Sequence, residues 1–215
     1  EIYTNPAKGR VYNAEDFAGL LIKYEADVKV QYLVKNLGLT EGVDVNLRTD
    51  IQFPLMAPTF DNGTGDYVTL FEPVATEFVN AGKGHIVASV GAQSGEIPYT
   101  SFIALSSFIN EKPEIVEKFI TALFKALDFI KNEDSLTVSN YLIKHFTGSK
   151  AESTAKSLDN YKQVDTWATD LCLTEDMYKT LLDVIKNAGE NVDGIEFSKV
   201  VDNTLNKKVY KKLYG

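Results

Sequence analysis

Hydrophobic positions along this chain shift from strand-like runs to helical spacing and back before settling into helical spacing. Phe17 to Tyr24 (FAGLLIKY) is a short apolar run between polar neighbours, the mark of a buried strand. In Val28 to Gly38, Val30, Leu33, Val34 and Leu37 recur on one helical face, and Gly38 supplies a stop. Val43 to Ile51 alternates, as a strand with one wet face does. Pro54 to Phe60 reads as a short helix, closed by the loop Asp61 to Gly65. A β-α-β pattern follows: a strand over Asp66 to Phe71, a helix ended by Gly82-Lys83-Gly84, and a strand over His85 to Val90. Tyr99 to Ala104 reads as a last strand. Alternation of this kind predicts a largely parallel sheet with helices on both faces.

Beyond that point helical spacing takes over. Glu111 to Lys131 is a long amphipathic helix, with Pro113 suited to its first turn and Ile115, Phe119, Leu123, Ala126 and Ile130 as its expected buried stripe. Further helices are predicted over Leu136–Phe146, Ala151–Gln163, Glu175–Ala188, Phe197–Val201 and Thr204–Leu213. The fold class is therefore α/β: a parallel-rich, three-layer α/β lobe followed by a helical C-terminal region. Three segments are expected: a lead-in or hinge over residues 1–16, an α/β ligand-binding lobe over 17–105, and a helical region over 106–215.

Composition narrows the function. The 215 residues carry a net charge of −8, which argues against a nucleic-acid footprint. No apolar run approaches the roughly 20 residues of a membrane span. The opening residues EIYTNPAKGR are polar and lack a signal-peptide pattern. Cys172 is the one cysteine and reads as a small buried hydrophobe. There is no P-loop, dinucleotide fingerprint, zinc-protease motif or nucleophile elbow. His85 and His145 lie sixty residues apart without ligand neighbours at useful spacing. No cofactor or metal is called for, and binding is favoured over catalysis.

What remains is a set of polar and aromatic residues at strand ends. In open α/β sheets ligands sit outside the carboxyl ends of strands. Tyr24, Glu25 and Asp27 end the first strand, Gln52 and Phe53 the second, and Glu72 the third, while Tyr99 and Thr100 open the last. These eight form the expected ligand-binding set. Asp27 serves equally well as a helix N-cap, and Tyr99 as a core residue. Glu72 leads, because a carboxylate before Pro73 gains less from local capping. On this reading Glu72→Gln weakens solute binding and leaves the melting temperature nearly unchanged.

The runs QFPLMAPTFDNGTGDYVTLFEPVATEF, GKGHIVASVGAQSGEIPYTSFIA and INEKPEIVEKFITALFKALDFI carry a family likeness. They resemble the second lobe of substrate-binding proteins of ABC importers, in the NMT1-like group that takes nitrate, sulfonates, taurine and thiamine precursors. The resemblance covers roughly Phe17 to Lys131. It implies a periplasmic-binding-protein-like fold with two lobes, a noncovalently held small solute between them, delivery to ABC permease membrane subunits, and extracytoplasmic placement in a bacterium, periplasmic or as a cell-surface lipoprotein. It also implies that most of a first lobe lies outside these residues. Where relatives carry a glycine-rich anion loop, this chain has Tyr24-Glu25-Ala26-Asp27. Those carboxylates and Glu72 disfavour an anion and suit an amine or an aminopyrimidine-like heterocycle. Two alternatives use the same fold: a pyrimidine-precursor synthase, which would need a reactive histidine in the cleft, and a single-lobe interaction module.

Overall fold

The computed structural model describes residues 2–4, 28–94, 96–98, 100–146, 148–187 and 190–215. The strand expected over Phe17 to Tyr24 and the cap expected of Asp27 lie outside these residues.

Three strands form a sheet in the order β2-β1-β3: β1 is Ile2–Thr4, β2 is Tyr67–Thr69 and β3 is His85–Ala88. β1 runs antiparallel to both neighbours, pairing Ile2 with Thr69 on one side and Thr4 with His85 on the other. β2 and β3 therefore run the same way, as the β-α-β pattern requires, but with a strand of opposite direction between them. The lead-in segment thus supplies the central strand of the described sheet. Three residues are too few to show a period, so the pattern alone does not reveal it.

The sheet is covered on both faces, and β2 shows how. Tyr67 points into a cluster with Val34 of α1 (Val28–Asn36), Val90 of α4 (Val90–Ser94), Val45 and Leu47. Val68, next along the strand, points the other way. It meets Met56 and Phe60 of α2 (Phe53–Asp61) and Ala75 and Phe78 of α3 (Val74–Asn80). Successive strand side chains alternate faces, so two buried clusters on one strand mean a three-layer lobe. At full burial, each side chain of this size contributes about 1.5–3 kcal/mol.

Glycines end the helices where the spacing predicts. At α3, Gly82 adopts φ +69°, and the amides of Gly82 and Lys83 reach back to the carbonyls of Val79 and Phe78. That paired return satisfies carbonyls the helix leaves free and needs a left-handed residue. It aims Lys83 back towards α2, where its ammonium pairs with Asp61 at 2.6 Å.

Two expected strands are absent among the described residues. Val43 to Ile51 alternates in burial, with Val45 and Leu47 inside and Asn46 outside, yet its pairing is limited to a bridge between Glu41 and Val45. Alternation records which side faces the core and does not supply a neighbour. Residues 100–105 likewise form no strand, and Phe102, Ile103 and Leu105 are exposed.

The helical half begins with α5 (Ser106–Glu111) and α6 (Pro113–Asn132), with Pro113 in the first turn of α6. Next come α7 (Ser135–Leu142) with a 3₁₀ turn over Ile143–His145, and α8 (Ala151–Gln163). The last three helices are α9 (Glu175–Asn187), α10 (Phe197–Val200) and α11 (Thr204–Tyr214). The buried stripe of α6 is Ile120 and Phe124, with Val116 half-buried, packed on Val209 and Leu205 of α11 and on Leu171. The expected stripe is displaced by one position: Ile115, Phe119 and Ala126 are exposed. Nearly all of α6 is apolar around two adjacent faces, and α11 selects which is covered. The Tyr214 hydroxyl donates to Asp128 at 2.6 Å, which pushes its pKa up to about 12.

Asp134 caps α7 by accepting from the Thr137 amide (2.9 Å) and hydroxyl (2.6 Å), and these bonds hold its carboxyl below the ordinary 3.8. Bonds from Thr204 lower Asp202 in the same way at the start of α11. A depressed folded-state pKa adds stability that is complete above the unfolded value and is lost as pH falls through the folded one. Urea midpoints are therefore expected to fall as pH drops from about 5 to about 3. Asp134→Ala is expected to lower the midpoint at neutral pH and to flatten that acid dependence. An unchanged slope in the variant would remove Asp134 as a contributor.

Candidate functional site

Two loops converge at the carboxyl end of β2. One brings Gln52 and Phe53 to the start of α2; the other carries Leu70, Phe71 and Glu72 from β2 into α3. The rings of Phe53 and Phe71 meet at 5.4 Å with an interplanar angle of 49°, and both are about half exposed. Gln52 stands at the N-cap with extended backbone, but its side chain makes no capping bond and is exposed. Pro54 removes one backbone N–H from this helix start, and the Leu55 amide turns back to the Gln52 carbonyl. The end of α2 is therefore poorly furnished for an anion. What faces solvent is an aromatic pair with a neighbouring carboxamide able to donate and accept.

Glu72 sits beside this pair but is turned to another use. Its Oε2 accepts from the Thr76 amide at 3.0 Å and the Ser157 hydroxyl at 2.9 Å. Its Oε1 accepts from the Thr76 hydroxyl at 3.0 Å and the Asn160 side-chain amide at 2.8 Å. Asn160 also reaches the Thr76 hydroxyl at 3.3 Å, closing the set. Two donors belong to the first turn of α3, where a negative charge is favoured. The other two come from α8, more than eighty residues on. The carboxylate expected to meet solute is engaged on both oxygens by protein donors, and it ties the helical region to the sheet edge.

The other expected residues divide. Gln52 and Phe53 are brought together with the strand end that Glu72 follows. Thr100 is exposed, and no described contact joins it to them. Tyr24, Glu25, Asp27 and Tyr99 lie outside the described residues. Thr76, Ser157 and Asn160 were missed by reasoning from the sequence. Their one signal was Ser157 and Asn160 at i, i+3 beside the apolar Ala155 and Leu158, polar groups on a face that otherwise reads as core.

The histidines stand apart from this edge. His85 opens β3 and is exposed; His145 ends the 3₁₀ turn after α7. Among the described residues no three His, Cys, Asp or Glu side chains gather as a metal site. Cys172 is half-buried, and burial pushes its thiol pKa up. With Thr169, Asp170, Lys207 and Tyr210 it lines a separate cavity of about 240 Å³ in the helical region.

A charged hydrogen-bond partner contributes about 1.5–3 kcal/mol. Glu72→Ala is expected to lower stability by at least about 2 kcal/mol, a melting shift of roughly 5 °C. Glu72→Gln is expected to fall on the same side, since its NH₂ must face a donor. A double-mutant cycle with Asn160→Ala is expected to show coupling of about 1 kcal/mol. Unchanged melting in Glu72→Gln would contradict the clamp.

Residues 24–143, more than half of the chain, match the NMT1-like family. YtlA of Bacillus subtilis (strain 168), a candidate binding protein by its name, is 31% identical over 179 residues, which is 83% of this chain and 54% of YtlA. The chain thus spans about half the length of that curated relative. The ligand-binding component of an ABC-type import system from Staphylococcus aureus, solved with zinc bound, superposes with a TM-score of 0.69 at 11% identity, covering 97% of this chain and 69% of that one. The periplasmic sulfonate-binding protein SsuA of Methylobacillus flagellatus KT gives 0.68 at 14% identity, covering 99% and 65%. These likenesses establish the α/β fold of periplasmic binding proteins. With more than half its length and a relative above 30% identity in agreement, the chain belongs to the NMT1-like family.

Proposed function

We propose that this chain is the solute-binding part of an extracytoplasmic substrate-binding protein of an ABC importer, which holds a small polar or heterocyclic solute noncovalently and presents it to membrane permease subunits. It catalyses nothing. In this reading Gln52 and Phe53, with Phe71, are one wall of the solute site at the end of β2. Tyr24, Glu25, Asp27, Tyr99 and Thr100 are assigned to it from their strand-end positions in the sequence alone, and Glu72 positions Phe71 from behind. The observation that carries this reading is the exposed Phe53–Phe71 pair beside an unused Gln52 carboxamide, in a family of this fold. Small-molecule sites are mostly apolar with a few placed polar groups. A flat heterocycle stacks on one ring while the carboxamide meets its hydrogen-bonding edge. A fully ionised anion finds little here, because the start of α2 offers few free N–H groups and the chain is acidic. No helix among the described residues is long and apolar enough to cross a membrane.

Native mass spectrometry of the purified protein is expected to show a small adduct. By isothermal calorimetry a 4-aminopyrimidine is expected to bind at least tenfold more tightly than taurine. Phe53→Ala and Gln52→Ala are each expected to weaken binding about tenfold, about 1.4 kcal/mol, with melting nearly unchanged because both side chains are exposed. Tighter binding of taurine would overturn the assigned solute class, and unaltered affinity in both variants would move the site elsewhere.

A further inference from the structure

The four donors on Glu72 come from two places of unequal kind. The Thr76 amide and hydroxyl belong to the first turn of α3 and follow from the local chain. Pro73 stands at the N-cap of α3 and makes no side-chain capping bond. The Glu72 carboxylate, one residue earlier, takes that role by accepting from the Thr76 amide. In the same turn the Phe71 carbonyl accepts from the Ala75 amide at 3.1 Å. Phe71 and Glu72 are thus parts of one helix start. The other two donors, the Ser157 hydroxyl and the Asn160 carboxamide, stand one turn apart on α8 and reach that start from across the seam between the helices.

We propose that Ser157 and Asn160 are positioning residues for the solute site, which act through Glu72 to set the place of the Phe71 ring against Phe53. Its functional meaning rests on the reading of that ring pair as a solute wall. Three observations carry the proposal. First, the Phe71 ring is 42% exposed, so packing holds it in part only and the hold on its backbone matters. Second, the grip from α8 is two-pointed. Ser157 donates to Oε2 at 2.9 Å and Asn160 to Oε1 at 2.8 Å, which fixes the rotation of the carboxylate as well as its position. Bonds to an ionised acceptor are short and directional. Third, α8 is itself fixed to α7. The Ser139 hydroxyl donates to the Ala151 carbonyl and the Ser135 hydroxyl to the Asp159 carboxylate, both at 2.6 Å. The helix start is therefore tied to a braced pair of helices. A wall held in its binding geometry before solute arrives saves the cost of ordering it.

A single 4-fluorophenylalanine placed at position 71 of the full chain tests this, because its fluorine resonance reports the ring with no solute present. Asn160→Ala, Ser157→Ala and Asn160→Asp are each expected to shift or broaden that resonance. Asn160→Asp is expected to do so most, since it sets a second carboxylate against Glu72 where a donor stood. By calorimetry well below the melting temperature, the alanine variants are expected to bind 4-aminopyrimidine about fivefold more weakly and Asn160→Asp roughly tenfold, the ordinary size of a coupling between sites. Val209→Ala, in the core between α6 and α11, is expected to lower the melting temperature while leaving resonance and affinity as they are. A resonance unmoved in all three α8 variants overturns the proposal, whether or not the chain binds this solute. So does one that Val209→Ala moves as far, since general loosening would then account for it. A moved resonance with unchanged affinity upholds the positioning and removes the ring pair as the solute wall, so the two readings fail separately.

Discussion

A half-buried carboxylate holds the sheet edge to the helical region. Glu72 leaves the end of β2, turns into α3, and receives two donors from that helix and two from α8. Among the described residues no cation joins the set. The charge is held by neutral dipoles and by the helix start, an arrangement that is directional and tolerates little displacement. Phe71 precedes Glu72 in the chain, so whatever fixes the carboxylate also fixes the ring that meets Phe53. The placement of the Phe53–Phe71 pair thus depends on a carboxylate whose two oxygens both accept from protein donors.

Around that clamp the seams are polar where helices meet closely and apolar where volume must be filled. The Ser135 hydroxyl donates to Asp159, and the Ser139 hydroxyl to the Ala151 carbonyl, so α7 and α8 are joined by short side chains that let the helices approach. Phe124 and Val209 fill the space between α6 and α11, and at its margins Tyr214 pairs with Asp128 and Lys208 with Glu117. The two kinds of seam respond differently to change: loss of a hydroxyl removes a directional bond between the helices, while loss of a ring leaves a cavity.

The exposed residues follow from the same logic. Phe53 with Phe71 at the strand end, and Phe102 with Phe119 of α6, are both ring pairs with exposed surface, yet they differ in their polar company. The first has an unbonded carboxamide beside it and suits a small flat solute. The second lies beside residues 100–104, whose backbone takes part in no hydrogen bond among the described residues.

Much of this protein was legible in the residue pattern because the features concerned are local. Spacing and glycine stops placed α1, α2, α3 and α8 to within a residue or two, since a helix depends on neighbours within one turn. The strand-helix-strand signature around Glu72-Pro73 predicted an α/β lobe, and the motifs around it pointed to the family. Other features required the tertiary structure, because they are pairings across long stretches of chain. β1 is three residues whose role exists only through β2 and β3. The alternating run from Val43 to Ile51 has a buried side but lacks the neighbour that would make it a strand. α6 carries two apolar faces, and only the position of α11 decides that Ile120 and Phe124 are inside while Ile115 and Phe119 are not. Glu72 was visible as a carboxylate at a strand end; that its partners are Ser157 and Asn160 was not, because proximity between residues more than eighty positions apart is a property of the packed chain and not of its spacing.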